Sequence, residues 1–187
     1  MITGKRAHYR APLRNWLLYS DGDYVFKAYV LDISEGGLLL EQLPHPPSEG
    51  ILPILINIPQ YPLFHDYEPE ALEGLLVRGP ARKIYRAKIE IVREEKQACG
   101  VDEVFKTRIG ARFVQISPEL KMNLFSYIAV YANNLAHMMK LADDFPFDEK
   151  AMRRFRPMGG ILGFDAKEKI SALRSKIEHD YVNLTVL

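Results

Sequence analysis

Residues 15–33 read NWLLYSDGDYVFKAYVLDI. Two runs rich in aromatic and β-branched residues, 16–19 and 24–33, flank the turn residues SDGD at 20–23. An Asp-Gly pair between two such runs is typical of a β-hairpin, because glycine accepts the positive φ that a tight turn requires. This stretch therefore predicts two antiparallel strands joined by a short turn.

Further strand patterns follow this hairpin. Segments 37–41 and 51–58 are short and mostly apolar, and in 83–93 Tyr85, Ala87 and Ile89 alternate with charged neighbours, which indicates one buried and one wet face. The last segment, 105–116, contains Gly110, which indicates a bulge or a close backbone approach. About six strands with mostly short connections favour a small antiparallel β-barrel, since closure removes exposed edges.

The pattern changes after residue 116. Ser-Pro-Glu at 117–119 is a helix start, and a helix over about 118–142 follows. Proline and glycine at 145–147 and 157–160 predict a linker, and 165–168 resembles a capping box that opens a second helix, to about 180. We therefore expect a barrel domain over 1–117, a helical extension over 118–187, and an α+β protein overall.

The sequence is less informative about residues 59–75, the C-terminal residues and the apolar seam of the long helix. Residues 59–75 have no clear period and predict a long surface loop, while 181–187 fit either a short strand or a flexible tail. Within the long helix the apolar spacing is four, three, four and three, which favours packing inside the chain over a coiled coil between copies. The residues of this seam are Leu124, Ile128, Tyr131, Leu135 and Met138.

Composition excludes several classes of protein. The chain has 187 residues, with 25 Lys+Arg against 24 Asp+Glu and a formal net charge of +1. This balance does not indicate binding of a long polyanion such as nucleic acid. Its single cysteine, Cys99, excludes an internal disulfide and a thiolate metal cluster. The charged N-terminus and the short apolar runs predict neither a secretory signal nor membrane insertion. We expect a cytoplasmic protein.

Two short motifs stand near the hairpin. Arg6 and Arg10 are four residues apart, and 22 residues after Arg10 the segment DISEGG begins at Asp32 and contains Ser34 and Gly37. Taken singly, each motif is ordinary, since paired arginines are common and an Asp-x-Ser turn before glycine is a favourable way to leave a strand.

In this order the two motifs resemble the PilZ domain family, which has R-x-x-x-R ahead of a hairpin and D-x-S-x-x-G at the end of its second strand. Residues 109–114, IGARFV, resemble the last barrel strand of that family. The resemblance covers roughly residues 5 to 117. It implies a six-stranded antiparallel barrel and binding of the bacterial second messenger cyclic di-GMP.

The resemblance also implies roles for the motif residues. Arg6 and Arg10 would contact phosphate and the Hoogsteen edge of guanine, for which the planar guanidinium fork is suited and lysine is not. Asp32 and Ser34 would accept hydrogen bonds from a guanine N–H edge. Because the arginines precede the first predicted strand, we expect their segment to be mobile without ligand and ordered by it.

Three further positions belong to this implied site. Gly37 would leave space for a base to approach the backbone, and Gly36 is a further permissive position. In the family, the residue before the first motif arginine influences whether one or two ligand molecules bind. Here it is Lys5, which leaves the stoichiometry open.

Other candidate sites have simpler explanations. The five histidines are scattered and predict no metal site, Cys99 lies in a predicted turn at 97–100, and His8 is best explained as a spacer inside the arginine motif. A basic cluster could form a stripe for nucleic acid, but strand alternation spreads its side chains over two faces, which favours a solvated surface. Its residues are Arg78, Arg82, Lys83, Arg86 and Lys88. Residues 159–163 lack the lysine of a phosphate loop. We therefore predict no enzyme, no metal and no cofactor beyond the ligand itself.

The leading hypothesis is a cyclic di-GMP receptor that signals to a protein partner through the barrel surface or the C-terminal helices. The helix seam also makes a homo-oligomer conceivable, and motility, adhesion or exopolysaccharide control are the outputs that the family implies. One alternative is a PilZ-fold adaptor that binds protein and no nucleotide. A third hypothesis, an RNA-binding barrel, is disfavoured by the near-neutral charge.

Overall fold

The computed structural model describes residues 8–99, 104–143 and 149–185. The strands are β1 (Arg10–Asp21), β2 (Tyr24–Ser34), β3 (Gly37–Glu41), β4 (Ile51–Gln60), β5 (Ala81–Cys99) and β6 (Val104–Gln115). The helices are α1 (Pro69–Arg78), α2 (Pro118–Asp143), α3 (Glu149–Ile161) and α4 (Ile170–Thr185).

The strands close into an antiparallel barrel in the order β1-β2-β3-β6-β5-β4. Closure gives each strand two neighbours, so the ladder has no open edge. The predicted fold class, a small six-stranded antiparallel barrel followed by C-terminal helices, is confirmed.

The hairpin between β1 and β2 turns in two residues, since Asp21 pairs with Tyr24 across it. Gly22 has φ 60°, a value that side chains disfavour, so the glycine of the Asp-Gly pair supplies the turn that the sequence predicts.

Strand alternation builds the barrel core. In β5, Tyr85, Ala87 and Ile89 are buried and the intervening Arg86 and Lys88 are exposed, as the period of two predicts. Inward-facing residues of the other strands complete the core: Leu17, Tyr19, Ala28, Val30, Leu40, Leu52, Ile54, Ile56 and Ile109.

Gly110 in the interior of β6 predicts a bulge or a close approach of another strand, and the structure has both. The β5–β6 register shifts between Ile91 and Arg93, and Arg93 pairs with Gly110. A Cβ at Gly110 would lie 2.7 Å from Cγ of Arg93. Gly110 therefore lies at a bulge, and a larger residue there would have to displace the Arg93 side chain.

Two strands are longer than the sequence predicts. β1 begins at Arg10, so the second motif arginine lies on the strand and not before it. β5 runs to Cys99, which pairs with Val104, so 97–99 are strand and the predicted turn at these residues is wrong. Pairing with a neighbouring strand extends both elements beyond their own strand-forming residues.

The predicted surface loop at 59–75 is also wrong, because this segment contains a 3-10 turn at Phe64–Asp66 and the start of α1. Pro69 occupies the first turn of α1, where its missing N–H costs nothing. Gly79, with φ 72°, ends the helix by donating its N–H to the Leu75 carbonyl. Fully buried Leu72 and Phe64 anchor the segment.

α2 confirms the predicted helix of 118–142 almost residue for residue. The hydroxyl of Ser117 accepts the N–H of Leu120 at 3.1 Å, which is the predicted N-terminal cap. All five seam residues are buried within this single chain, at 8% exposure or less. The seam therefore packs inside the chain and leaves little surface for a second copy.

The predicted linker after α2 is wrong over 149–161, which form α3 with Pro157 inside it. Phe155 and Met158 are fully buried, so tertiary packing outweighs the local cost of proline. A Cβ at Gly160 would lie 2.6 Å from Cδ1 of Leu76 on α1, so this glycine allows close helix packing.

The second predicted helix exists but is displaced toward the C-terminus. Residues 165–168 form a turn in which Asp165 accepts the N–H of Lys167 at 2.9 Å, and α4 begins only at Ile170. α4 continues to Thr185, so the tail is helical up to that residue and neither strand nor coil.

The chain divides into two compact units. The barrel unit consists of Arg10–Ile58 and Lys83–Phe125, and the helical unit is built mainly from Pro59–Arg82 and Ser126–Leu187. Residues 59–82, placed in the barrel domain by the sequence pattern, therefore group with the helices. Within the part of the chain that is described, no helix has both the length and the apolar composition needed to cross a bilayer.

Buried polar groups hold the helical unit together. Asn134 of α2 accepts the N–H of Phe64 and donates to the Pro62 carbonyl, both at 2.9 Å. The hydroxyl of Tyr131 donates to Asp180 of α4 at 3.0 Å. These satisfied groups fix α2 against the 62–64 segment and α4.

A carboxylate also fastens the β3–β4 connection of the barrel unit. Asp21, at the end of β1, accepts the backbone N–H groups of Ser48 and Glu49 and the hydroxyl of Ser48 at 2.8–3.1 Å. The backbone hydrogen bond from Ser48 is the main reason that the pKa of Asp21 is lowered, and nearby His45 acts in the same direction.

We expect Asp21→Asn to lower the midpoint of thermal unfolding at neutral pH, because asparagine keeps the shape of aspartate and loses its charge. A folded-state pKa below the unfolded value means that this carboxylate stabilises the protein above about pH 4 and loses that effect as the pH falls further. Unfolding measured from pH 7 to pH 3 checks this. A difference between wild type and variant that stays constant with pH would contradict it.

Candidate functional site

The second motif forms the tight connection between β2 and β3. The hydroxyl of Ser34 accepts the N–H of Gly37 and donates to the Gly37 carbonyl, both at 3.2 Å. Ser34 is only 4% exposed. Its hydroxyl therefore shapes the turn first, and one of its lone pairs remains for another donor.

Gly37 is glycine because of its neighbour on β6. It pairs with Arg112, and a Cβ built on it would lie 2.1 Å from the carbonyl oxygen of Ala111. The Gly36 carbonyl also accepts the N–H of Phe113 on β6 at 3.0 Å. Gly37 is expected to leave space for a ligand base, but on the side where a Cβ would point the backbone of β6 fills that space.

Arg10 reaches the same turn from β1. Arg10 pairs with Ser34 and Pro12 pairs with Asp32, so Arg10 and Asp32 are diagonal neighbours on adjacent strands. Nη1 of Arg10 lies 3.3 Å from Oδ1 of Asp32, and the two side chains are 34% and 26% exposed. A guanidinium and a carboxylate are therefore held together and remain partly open to solvent.

Both strand pairings beside Asp32 are irregular. The β1–β2 register shifts between Pro12 and Asn15, where Arg14 has φ 48°, and the β2–β3 register shifts between Val30 and Asp32. Bulges change the direction of side chains and are frequent beside binding sites. Here they accompany the strand ends that carry Arg10 and Asp32.

One arginine next to the turn is not among the sequence-predicted site residues. Arg112 lies directly across from Gly37, and its Nε is 2.6 Å from Oε2 of Glu90 on β5. The Arg112 side chain is 62% exposed. In the sequence, its position two residues after Gly110 in the last strand was the one indication of a role. Only the pairing of β3 with β6 shows that it lies at the turn.

The structure thus brings together five of the seven predicted site residues: Arg10, Asp32, Ser34, Gly36 and Gly37. Lys5 and Arg6 lie outside the described residues. Within the described ranges, no three His, Cys, Asp or Glu side chains form a group that could hold a metal ion.

This arrangement can recognise a planar, charged molecule. Arg10 offers a fork of N–H donors to phosphate or a purine edge, and Asp32 offers carboxylate oxygens to N–H donors. What these two side chains offer is charge and hydrogen bonding, which is the chemistry of binding.

Comparison with known proteins gives one match over most of the chain. The model of the PilZ domain matches residues 4–129, a range that contains both motifs. No curated protein matches the sequence at a significant level.

Several solved structures are distantly similar. The Bacillus subtilis inhibitor of motility MotI/DgrA is 11% identical with a TM-score of 0.48, covering 66% of this chain and 49% of its own. The Escherichia coli YcgR PilZ domain with c-di-GMP is 18% identical with a TM-score of 0.46, covering 75% and 99%. The K. pneumonia MrkH-c-di-GMP complex is 10% identical with a TM-score of 0.43, covering 76% and 55%.

This chain thus spans about half of MotI/DgrA and of MrkH and nearly all of the YcgR domain. At these identities and TM-scores the likenesses carry no argument about function. The family match is of a different kind, because it extends over more than half of the chain and includes the barrel and both motifs. The chain belongs to the PilZ domain family.

Proposed function

We propose that this protein is a receptor for cyclic di-GMP, bound at the barrel end where β1 meets the β2–β3 turn. The observation that carries the proposal is the contact of Arg10 with Asp32 beside the Ser34–Gly37 turn, in a chain of the PilZ family. Cyclic di-GMP has two phosphodiester charges and two guanines, which need the guanidinium donors and carboxylate acceptors found here.

Arg10 is the residue whose partner changes on binding. Its contact with Asp32 is 3.3 Å long and partly exposed, so it contributes about 1 kcal/mol or less. A phosphate or guanine edge offers the same guanidinium two parallel hydrogen bonds. Ligand binding therefore replaces a weak ion pair by a stronger one, and a guanine N–H edge donates to Asp32.

Ser34 and the two glycines have a supporting role in this proposal. Ser34 holds the turn through Gly37 and keeps one lone pair for the ligand. Gly36 and Gly37 keep the turn close to β6, which positions Asp32 and the backbone of the turn for the base.

Arg6 supplies the second guanidinium, and Lys5 bears on whether one or two ligand molecules bind. Binding joins the N-terminal motif to the β2–β3 turn and creates a new surface on the barrel. A protein partner reads that surface, so the protein acts as a sensor and catalyses no reaction. Motility, adhesion and exopolysaccharide control are the outputs that family membership suggests, and a cytoplasmic location stays a prediction.

Calorimetric titration of the purified protein with cyclic di-GMP, with GMP as the control ligand, tests the proposal. We expect saturable binding of cyclic di-GMP, a stoichiometry of one or two, and much weaker binding of GMP, which has one guanine and one phosphate. A folded protein that gives no binding at high ligand concentration would refute the receptor and leave the protein adaptor.

The dependence of affinity on salt separates this receptor from an RNA-binding barrel. A protein that neutralises six to ten phosphates loses about 10³- to 10⁵-fold in affinity between 50 and 200 mM salt. A ligand with two charges should lose far less over that range. A loss for cyclic di-GMP as steep as that for a polyanion would contradict the proposed mode of binding.

A further inference from the structure

The wall of the barrel carries a groove that the proposed nucleotide site does not use. It has a volume of about 530 Å³, and its apolar lining includes Leu18 of β1, Val25 of β2, Pro53 and Leu55 of β4, and Ile116 after β6. All of these residues belong to the barrel unit. Small-molecule sites in proteins are typically clefts of about 300–1,000 Å³ with mostly apolar walls.

The lining is unusual for the outer face of a barrel. Leu18 and Leu55 are paired across β1 and β4 and are 44% and 39% exposed, while Val25 is 67% exposed. Their strand neighbours Tyr19 and Ile54 point inward and are buried. Outward positions of such strands are normally polar, whereas here apolar side chains of β1, β2 and β4 adjoin one another along the groove.

Two cations stand on the polar side of the groove. Arg86 and Lys88 are neighbours on the outward face of β5, and both line it. Among the described residues neither forms an ion pair, whereas Lys83 and Arg112 have Glu119 and Glu90 as partners. An apolar cleft with two uncompensated cations is complementary to a molecule with an apolar body and an anionic end.

The groove and the nucleotide site lie toward opposite ends of β1. Leu18 is eight residues after Arg10, which corresponds to roughly 25 Å along a strand. The groove also lacks the acceptor set of the β2–β3 turn, and its apolar walls do not suit a dianion with two guanines. The groove is therefore separate from the proposed nucleotide site.

We propose that this groove binds an amphipathic organic anion of the fatty-acid type, with the apolar chain against Leu18, Val25 and Leu55 and the carboxylate between Arg86 and Lys88. The inference is independent of cyclic di-GMP binding. Each exposed cation contributes modestly in water, but two cations beside a low-dielectric wall discriminate clearly between an anion and a cation of the same length.

The test uses the full chain and two probes, dodecanoate and dodecyltrimethylammonium, each titrated calorimetrically below its micelle concentration. We expect dodecanoate to bind saturably at one site, and the cation of equal chain length to bind at least tenfold more weakly. Equal binding of both probes, or no binding of dodecanoate, would overturn the proposal.

Two variants locate the site. Arg86→Gln combined with Lys88→Gln should weaken dodecanoate binding at least tenfold, while the control pair Lys167→Gln with Lys169→Gln, which removes the same charge from exposed positions of the helical unit, should leave it unchanged. Val25→Glu places a carboxylate on the groove wall at an exposed position and should abolish binding. Circular dichroism verifies folding, and unaltered binding in the folded Val25→Glu protein would overturn the assignment.

Discussion

Replacing Gly37 by alanine should destabilise the barrel by about 3 kcal/mol or more, the largest effect on folding stability that we expect from a single methyl group here. The added Cβ would lie 2.1 Å from the carbonyl oxygen of Ala111 and 3.0 Å from Cα of Arg112. Both atoms belong to the backbone of β6, so no side chain can rotate away. The β3–β6 pairing must separate to admit the methyl group.

Urea unfolding at neutral pH measures this effect, with Gly50→Ala as the matched control. Gly50 is exposed before β4, and a Cβ at that position would meet no atom within 4 Å. We expect Gly50→Ala to change the free energy of unfolding by at most about 0.5 kcal/mol. A Gly37→Ala protein as stable as that control would contradict the strand contact seen in the structure.

This result bears on how the second motif is understood. Gly37 is explained by the fold alone, so loss of ligand binding in a Gly37 variant would not by itself identify a ligand contact. Variants of Asp32 are better probes, because the Asp32 side chain is 26% exposed and faces Arg10. In the proposed receptor, Gly37 thus has a structural role and Asp32 a binding role.

The barrel could be predicted because its signals are local. The Asp-Gly turn, the alternation in β5 and the glycine of β6 each depend on neighbours in sequence or on the next strand. The capping of α2 by Ser117 is equally local. Such features need no knowledge of distant contacts, and the structure confirms them.

The helices α1 and α3 were missed for the opposite reason. Both contain proline and glycine, which local rules treat as breakers, and both are held by contacts far away in sequence. Phe64 next to α1 is fixed by Asn134, 70 residues later, and Gly160 of α3 packs on Leu76 of α1. Tertiary contacts of this kind outweigh local propensity and leave no period in a short segment.

The candidate site was predicted in part. Its residues came from two motifs, but their geometry depended on the register of four strands, β1, β2, β3 and β6. Arg10 proved to lie on β1 opposite Ser34, and Arg112 was added by its pairing with Gly37. No local pattern reveals that residues 37 and 112 are neighbours.

Replacing Arg10 by alanine should weaken binding of cyclic di-GMP about ten- to a hundredfold, the largest single effect on affinity that we expect. A charge-assisted hydrogen bond contributes about 1.5–3 kcal/mol, which corresponds to that range. The variant should remain as stable as the wild type to within about 1 kcal/mol, since the contact with Asp32 is partly exposed. Calorimetry measures the affinity and urea unfolding the stability.

Arg10→Lys decides whether charge or geometry accounts for the loss. Lysine keeps the charge but has no planar fork, so it cannot donate two parallel hydrogen bonds to a phosphate or a guanine edge. We therefore expect Arg10→Lys to bind nearly as weakly as Arg10→Ala, whereas Arg78→Ala, which removes an exposed arginine of α1, should bind like the wild type. Full affinity in Arg10→Lys would show that Arg10 acts only through its charge. Full affinity in Arg10→Ala would show that Arg10 does not contact the ligand.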